Sequence, residues 1–176
     1  LGKLIAMLGV SLVGILIWGS IAALGMIFIE QIMMNLFGVE FTMPPVTPAV
    51  GWPTYSVLLV LYFSANYMLL GAVFLGIGGQ ASNVREVQTL SMPINFAQIM
   101  IFALASAVVG NNGGTMTWIA AVFPLSSPMT MIALAAQMPT IWWHLAALLW
   151  QLVWVAVIIH VSARMFRLTI MKSHSR

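Results

Sequence analysis

Apolar residues form four long runs along this chain, separated by short polar or proline-rich stretches. The runs cover about residues 4–29, 55–79, 94–109 and 141–163. A helix needs ~20 apolar residues to cross the ~30 Å hydrocarbon core of a bilayer. At 1.5 Å per residue the first run is ~39 Å long. The pattern predicts an all-α membrane protein with about four transmembrane helices.

A fifth apolar segment, between Met116 and Pro139, is interrupted by helix-breaking and polar residues. The interrupting residues are Pro124, Ser126, Ser127, Pro128 and Pro139, and Pro124, Ser127 and Pro128 mark the candidate outer segment. Its pieces are too short to cross, and irregular backbone at membrane depth is tolerated only where protein covers it. We therefore predict a broken outer segment, either re-entrant or interfacial, before the last transmembrane helix.

Composition supports membrane embedding and argues against a soluble protein. Charged residues make up 5% of the chain, hydrophobic residues 62%, and the mean hydropathy is +1.06. Soluble domains carry about 25% charged residues. The net charge of +3 does not indicate nucleic acid, because the basic residues lie at the ends of the apolar runs. There is no cysteine, so disulfides and thiolate metal sites are excluded.

The distribution of basic residues predicts the orientation. The tail from Arg164 to Arg176 carries four of the six lysines and arginines. By the positive-inside rule the C-terminus is expected in the cytoplasm. Alternating spans then place Lys3 and Arg85 on the same side, with the broken segment outside.

The stretch from Ser82 to Pro93 contains the adjacent pair Arg85 and Glu86 and separates two apolar runs. Its spacing fits a short interfacial helix closed by Pro93. Two interpretations stay open. The turn transmits force from a cytoplasmic partner, or it is a solvated turn that sets topology. The coupling candidates are Arg85, Glu86, Gln88 and Pro93.

Four polar residues lie inside the predicted spans: Asn66, Asn95, Gln98 and Gln151. One interpretation is hydrogen bonding between helices, each bond contributing about 0.6–2 kcal/mol. The other is that some of them line a translocation route. His144 and His160 lie near opposite ends of the last run, where an interfacial role is favoured over metal binding.

Motifs for nucleotide chemistry are missing from the sequence. No glycine-rich loop ends in Gly-Lys-Ser/Thr, so we expect no ATP hydrolysis by this chain and no bound cofactor. The segment Gly76 to Ala81 matches a dinucleotide fingerprint, but it closes an apolar run and does not follow a strand. An intramembrane enzyme is disfavoured, because no paired catalytic groups lie at depth.

Three segments stand out beside the apolar runs: Leu1-Gly2-Lys3-Leu4-Ile5, Arg85-Glu86-Val87-Gln88 with Met92-Pro93, and Phe123-Pro124-Leu125-Ser126-Ser127-Pro128-Met129. They resemble motifs of type-2 ABC transporter permeases, nearest the sodium-efflux branch. The order of these segments among the spans also resembles that of such permeases.

The resemblance implies that residues 1–176 form a single transmembrane domain, the C-terminal half of a longer permease. It implies a homodimer or heterodimer of permeases in the bacterial cytoplasmic (inner) membrane. A separate ATP-binding cassette subunit would hold ATP and magnesium and drive efflux of an ion or a small or amphipathic substrate. The alternative is a non-transporting membrane scaffold or assembly protein.

Overall fold

The computed structural model describes residues 2–38, 47–78, 81, 83–108 and 114–173, and these residues are overwhelmingly helical. The helices are α1 (Gly2–Phe37), α2 (Trp52–Gly78), α3 (Val84–Val108), α4 (Thr115–Val122), α5 (Ser127–Gln137) and α6 (Ile141–Ser173). Within the described part of the chain, α1, α2, α3 and α6 are long and apolar enough to cross a membrane. The prediction of an all-α membrane protein with four spans and a broken segment is confirmed.

The chain divides into two compact units, Leu1–Thr47 and Pro48–Arg176. The first unit is α1, which continues past the predicted end of its span to Phe37. At 1.5 Å per residue α1 is about 54 Å long, well over the ~30 Å hydrocarbon core. Large side chains are exposed along it, among them Val10, Trp18 and Leu36. The prediction of a single transmembrane domain stays a prediction.

The core of the second unit lies between α2 and α6. The buried residues of α2 recur at alternating intervals of four and three: Leu58, Tyr62, Ala65, Leu69, Ala72 and Gly76. This spacing places them on one face of the helix. Tyr62 contacts His144 near the start of α6, and Ala72 contacts Ser162 much later along it. The two helices therefore run parallel.

Parallel α2 and α6 constrain the chain between them. A short connection separates α2 from α3, which returns the chain across the bundle. For α6 then to run in the same direction as α2, α4 and α5 must begin and end at the same end of the bundle. The broken segment is a helical hairpin.

Contacts with α6 show how deep this hairpin reaches. The rings of Trp118 and Trp143 lie 5.0 Å apart, near the starts of α4 and α6. The indole N–H of Trp150 donates to the carbonyl of Val122, at the end of α4, over 2.8 Å. Trp150 lies about 14 Å along α6 from Ile141, nearly half of the ~30 Å hydrocarbon core. This position along α6 favours the re-entrant arrangement, and the choice between the two predicted arrangements stays a prediction.

Helix α5 returns the hairpin to the end where α2 begins. The backbone N–H groups of Ala49 and Val50 donate to the carbonyls of Ala136 and Ala135 over 3.0 and 3.3 Å. Helix α5 packs on α2, α3, α4 and α6. Its buried residues include Met131 and Leu134. Protein therefore covers this short helix at depth, as a non-spanning segment requires.

Helix α3 corrects the prediction for the charged turn. The side chain of Asn83 accepts a hydrogen bond from the N–H of Glu86 over 2.9 Å and caps the helix start. The helix then continues through Pro93, so the short helix closed by Pro93 was wrong. Proline removes one backbone hydrogen bond, and membrane helices tolerate that loss through local adjustment. The predicted interfacial helix and the third span are one helix.

Candidate functional site

Among the described residues of the second unit, seven polar side chains are buried, and we call them the polar core. They are Tyr62 on α2, Thr117 on α4, Ser126 in the hairpin turn, Ser127 and Thr130 on α5, and His144 and Gln151 on α6. Each is at most 2% exposed. Burying a polar group without a hydrogen-bond partner is unfavourable. The hydrogen-bond partners of each side chain therefore show which groups are satisfied in the packed state and which are not.

Tyr62 and His144 form the paired part of the polar core. The Tyr62 hydroxyl donates to the backbone carbonyl of His144 over 3.1 Å and lies 3.3 Å from His144 Nδ1. A hydroxyl has one hydrogen to donate, so Nδ1 is satisfied when it carries the proton and donates to the tyrosine oxygen. This arrangement of donors and acceptors favours the Nδ1–H tautomer of His144, and the pair joins α2 to α6.

Ser126 closes the hairpin turn with internal hydrogen bonds. Its hydroxyl donates to the carbonyl of Ala120 over 2.7 Å. The backbone N–H groups of Ser126 and Ser127 both donate to the carbonyl of Phe123. These bonds satisfy several backbone groups of a turn that lies at membrane depth.

Ser127, Thr130 and Gln151 form the unpaired part of the polar core. All three are 0% exposed. Among the described residues, neither the Ser127 and Thr130 hydroxyls nor either atom of the Gln151 amide has a hydrogen-bond partner. Leaving a buried polar group unsatisfied costs about 1–3 kcal/mol. The burial of these groups without partners is therefore unfavourable in the packed state.

These three residues lie at the same depth. Ser127 and Thr130 occupy the first turn of α5, directly after the hairpin turn. Gln151 follows Trp150, whose indole N–H donates a hydrogen bond to the carbonyl of Val122, the last residue of α4 before that turn. The depth is about 15 Å along α6 from its start, near the middle of a ~30 Å hydrocarbon core. We call this level the polar tip.

The other polar residues predicted inside the spans are placed differently. Asn66 and Gln98 are half-buried, and Asn95 is exposed on α3. Of the four candidates for interhelical or pathway roles, only Gln151 belongs to the polar core. In the broken segment, Ser127 and Pro128 are buried and Pro124 is half-buried beside the hairpin turn.

The candidates for coupling lie at the start of α3, far from the polar tip along the chain. Arg85, Gln88 and Pro93 are exposed, and Glu86 is half-buried. The Thr89 hydroxyl donates to the carbonyl of Arg85 over 3.0 Å. An exposed arginine at the first turn of a capped helix is available to a partner, and whether it transmits force stays a prediction.

His144 is buried inside the protein near the start of α6. It is 2% exposed and bonded to Tyr62, and its predicted interfacial role stays a prediction. Tyr62, Thr117 and Thr130 were not singled out. The seven-residue spacing of His144 and Gln151 places both on one face of a helix, and this was the signal that could have identified the buried face of α6.

In the part of the chain that the structure describes, no group of three His, Asp or Glu side chains lies close enough together to hold a metal ion.

Comparisons with known proteins found no matching family model, no matching curated protein and no matching solved structure.

Proposed function

We propose that this chain is the membrane-spanning permease subunit of an ATP-driven exporter that moves an ion or a small or amphipathic substrate outward. The observation that carries this proposal is the polar tip. Ser127, Thr130 and Gln151 are fully buried at mid-depth without hydrogen-bond partners among the described residues.

A polar group inside a membrane protein is costly to keep and is commonly functional. Three unpaired groups beside a re-entrant turn are unfavourable in the packed state. They become favourable when the bundle opens and they meet water or a substrate. Non-helical backbone at membrane depth is likewise typical of segments that line a cavity or pathway. This arrangement favours a permease over a rigid scaffold.

The chemistry of the proposed pathway is neutral. The parts of α2, α3 and α6 within the spans, residues 52–78, 94–107 and 141–163, contain no Asp, Glu, Lys or Arg. Recognition at the polar tip would rest on hydroxyl and amide groups, which both donate and accept hydrogen bonds. Any energy for uphill movement would have to come from another subunit.

The ATP-driven partner is inferred from the resemblance to type-2 ABC permeases. In the proposed assembly two permeases, identical or different, pair with ATP-binding cassette subunits in a bacterial cytoplasmic membrane. The C-terminus and the start of α3 face the cytoplasm, and Arg85 there is exposed. ATP and magnesium bind the partner.

Co-purification from native membranes tests the proposal. The full-length protein should bring down an ATP-binding cassette subunit, and the ATPase activity of that subunit in vesicles should depend on this chain. Gln151→Leu should abolish substrate-stimulated ATPase activity while preserving the complex. Asn95→Leu, the same type of change at an exposed position, should leave it intact. A complex without an ATPase subunit, or full stimulation in Gln151→Leu, would support the scaffold alternative.

A further inference from the structure

A groove lined by tryptophans lies between α4 and α6. We call it the tryptophan groove. One part of it, of about 340 Å³, is lined chiefly by Trp118, Trp143, Trp150, Ala146 and Met131. A second part of about 570 Å³ shares Trp118 and Trp150 and extends to Trp154. Both volumes fall within the range of about 300–1,000 Å³ that is usual for small-molecule sites.

The groove exists because α4 approaches α6 through side chains and not through close backbone packing. Helix α4 packs on α5 and α3. It reaches α6 through the ring contact of Trp118 with Trp143 and the hydrogen bond from Trp150 to Val122. Indole rings hold the two helices apart, and apolar space remains between them.

The chemistry of the groove favours an apolar ligand. The lining of its first part contains only Trp, Ala, Val and Met side chains. The lining of its second part is also mostly apolar, and its polar groups include Thr115 and the indole N–H of Trp154, which has no hydrogen-bond partner among the described residues. The N–H of Trp150 is already used by the Val122 carbonyl, so this donor is not available to a ligand. The rim is open, since Trp143 is 52% and Trp150 42% exposed. Inside a bilayer, the surroundings of such a rim are hydrocarbon.

The length of the groove indicates what kind of apolar ligand it can hold. Trp143 and Trp154 are separated by about 16 Å along the α6 axis at 1.5 Å per residue, about half of the ~30 Å hydrocarbon core. The groove therefore follows one leaflet from the end where α6 begins to the level of the polar tip. A second helix, about 10 Å across, does not fit between two helices that indole rings already bridge.

We propose that the tryptophan groove is a binding site for one acyl chain of a phospholipid, drawn from the leaflet that contains the start of α6. The acyl chain fills the gap between α4 and α6 and supports the re-entrant hairpin from its outer side. The proposal depends on membrane embedding and is independent of the transport function proposed above.

Photolabelling tests this site. The purified full-length protein in detergent would be incubated with a stoichiometric amount of phosphatidylcholine that carries a diazirine on one acyl chain, irradiated, and mapped by mass spectrometry. Label should concentrate on the groove, at Ala146 and Trp150. Leu152 and Val153, exposed on α6 at similar depth but outside the groove lining, should carry little. Equal labelling of both sets would mean ordinary boundary lipid and overturn the proposal.

Two matched variants separate the groove from general lipid exposure. Both Ala146 and Ala156 are exposed on α6, and only Ala146 lines the groove. Ala146→Phe should fill the groove and reduce labelling by about tenfold, equivalent to ~1.4 kcal/mol of binding. Ala156→Phe should leave labelling unchanged. Undiminished label in Ala146→Phe, or a wild-type groove protected from label by a protein segment or a second copy, would overturn the proposal.

Discussion

The hydroxyl of Ser162 on α6 occupies the space that a side chain at Gly76 on α2 would need. A Cβ atom at position 76 would lie 2.9 Å from Ser162 Oγ. The same hydroxyl donates to the carbonyl of Ala72 over 2.8 Å. A small residue here allows two membrane helices to approach closely and to share a side chain–backbone hydrogen bond.

Gly76→Ala should therefore weaken the α2–α6 contact. The Ser162 side chain must rotate away and lose its hydrogen bond to the Ala72 carbonyl. These two effects together should destabilise the fold by about 2 kcal/mol. Unfolding in detergent, followed by circular dichroism, measures the change. Gly78→Ala is the control, since nothing lies within 4 Å of its Cβ position. The double variant Gly76→Ala with Ser162→Ala should recover part of the loss. No recovery would contradict this explanation.

Tyr62→Phe should destabilise the bundle by about 1–3 kcal/mol, because it leaves the buried His144 Nδ1 without its partner. Tyr67→Phe changes a half-buried tyrosine on the same helix and should have a smaller effect. Nitrogen NMR of the imidazole provides an independent measurement. We expect the Nδ1–H tautomer in the wild type, fixed by Tyr62, and a mixture of tautomers in Tyr62→Phe. An Nε2–H tautomer in the wild type would contradict the assigned hydrogen bonds.

Trp150→Phe should loosen the hairpin turn, because it removes the N–H that holds the Val122 carbonyl at depth. The loss of this hydrogen bond is worth about 1 kcal/mol. Hydrogen exchange over residues 119–127 should speed up about fivefold, since 1.4 kcal/mol corresponds to tenfold. Trp142→Phe removes an indole that is 78% exposed on the same helix, and exchange in the turn should not respond to it.

Gln151→Leu should raise stability while it removes transport. Replacing an unpartnered buried amide with an apolar side chain of similar size relieves a desolvation penalty of about 1–3 kcal/mol. Chemical denaturation in detergent measures the gain, and transport in reconstituted vesicles with the partner subunit measures the loss. A destabilised Gln151→Leu variant would show that the amide is paired in the folded state, and the argument from the polar tip would fail.

Arg85→Ala combined with Glu86→Ala tests coupling at the start of α3. If this pair transmits force, transport should fall at least tenfold while membrane insertion and partner binding persist. The cap of α3 should survive, because the Asn83 side chain bonds the backbone N–H at position 86. Gln88→Ala, at a neighbouring exposed position, is the control for a general effect on the helix end. Normal transport in the double variant would leave these residues as topology signals only.

Sequence patterns predicted the spans because long apolar runs have one common solution in a bilayer, the helix. The four runs correspond to α1, α2, α3 and α6. Their ends were less predictable. Helix α1 passes Glu30 and α6 passes Arg164, since a charged residue sets where water begins and does not by itself stop a helix. Pro93 was misread for a related reason: it breaks one hydrogen bond and leaves the helix intact.

The candidate site was less accessible to sequence reasoning. Gln151 was singled out because it is polar within an apolar run. Ser127 was singled out because it is one of the residues that interrupt the apolar segment before the last helix. Their shared depth depends on how α4 and α5 fold back along α6, and this depends on contacts between distant residues such as Trp150 and Val122. His144 resembled an interfacial residue by position alone, since neighbouring tryptophans are common both at interfaces and in packed helices.

The re-entrant hairpin also constrains the order in which the protein can be assembled during synthesis. The elements that it packs against include α2, which is synthesised before it, and α6, which is synthesised after it. Until α6 is in place, the carbonyl of Val122 lacks its donor and the turn would face lipid. We therefore expect the hairpin to reach its full depth only after α6 has been synthesised, so insertion of this segment depends on a helix that follows it in the chain.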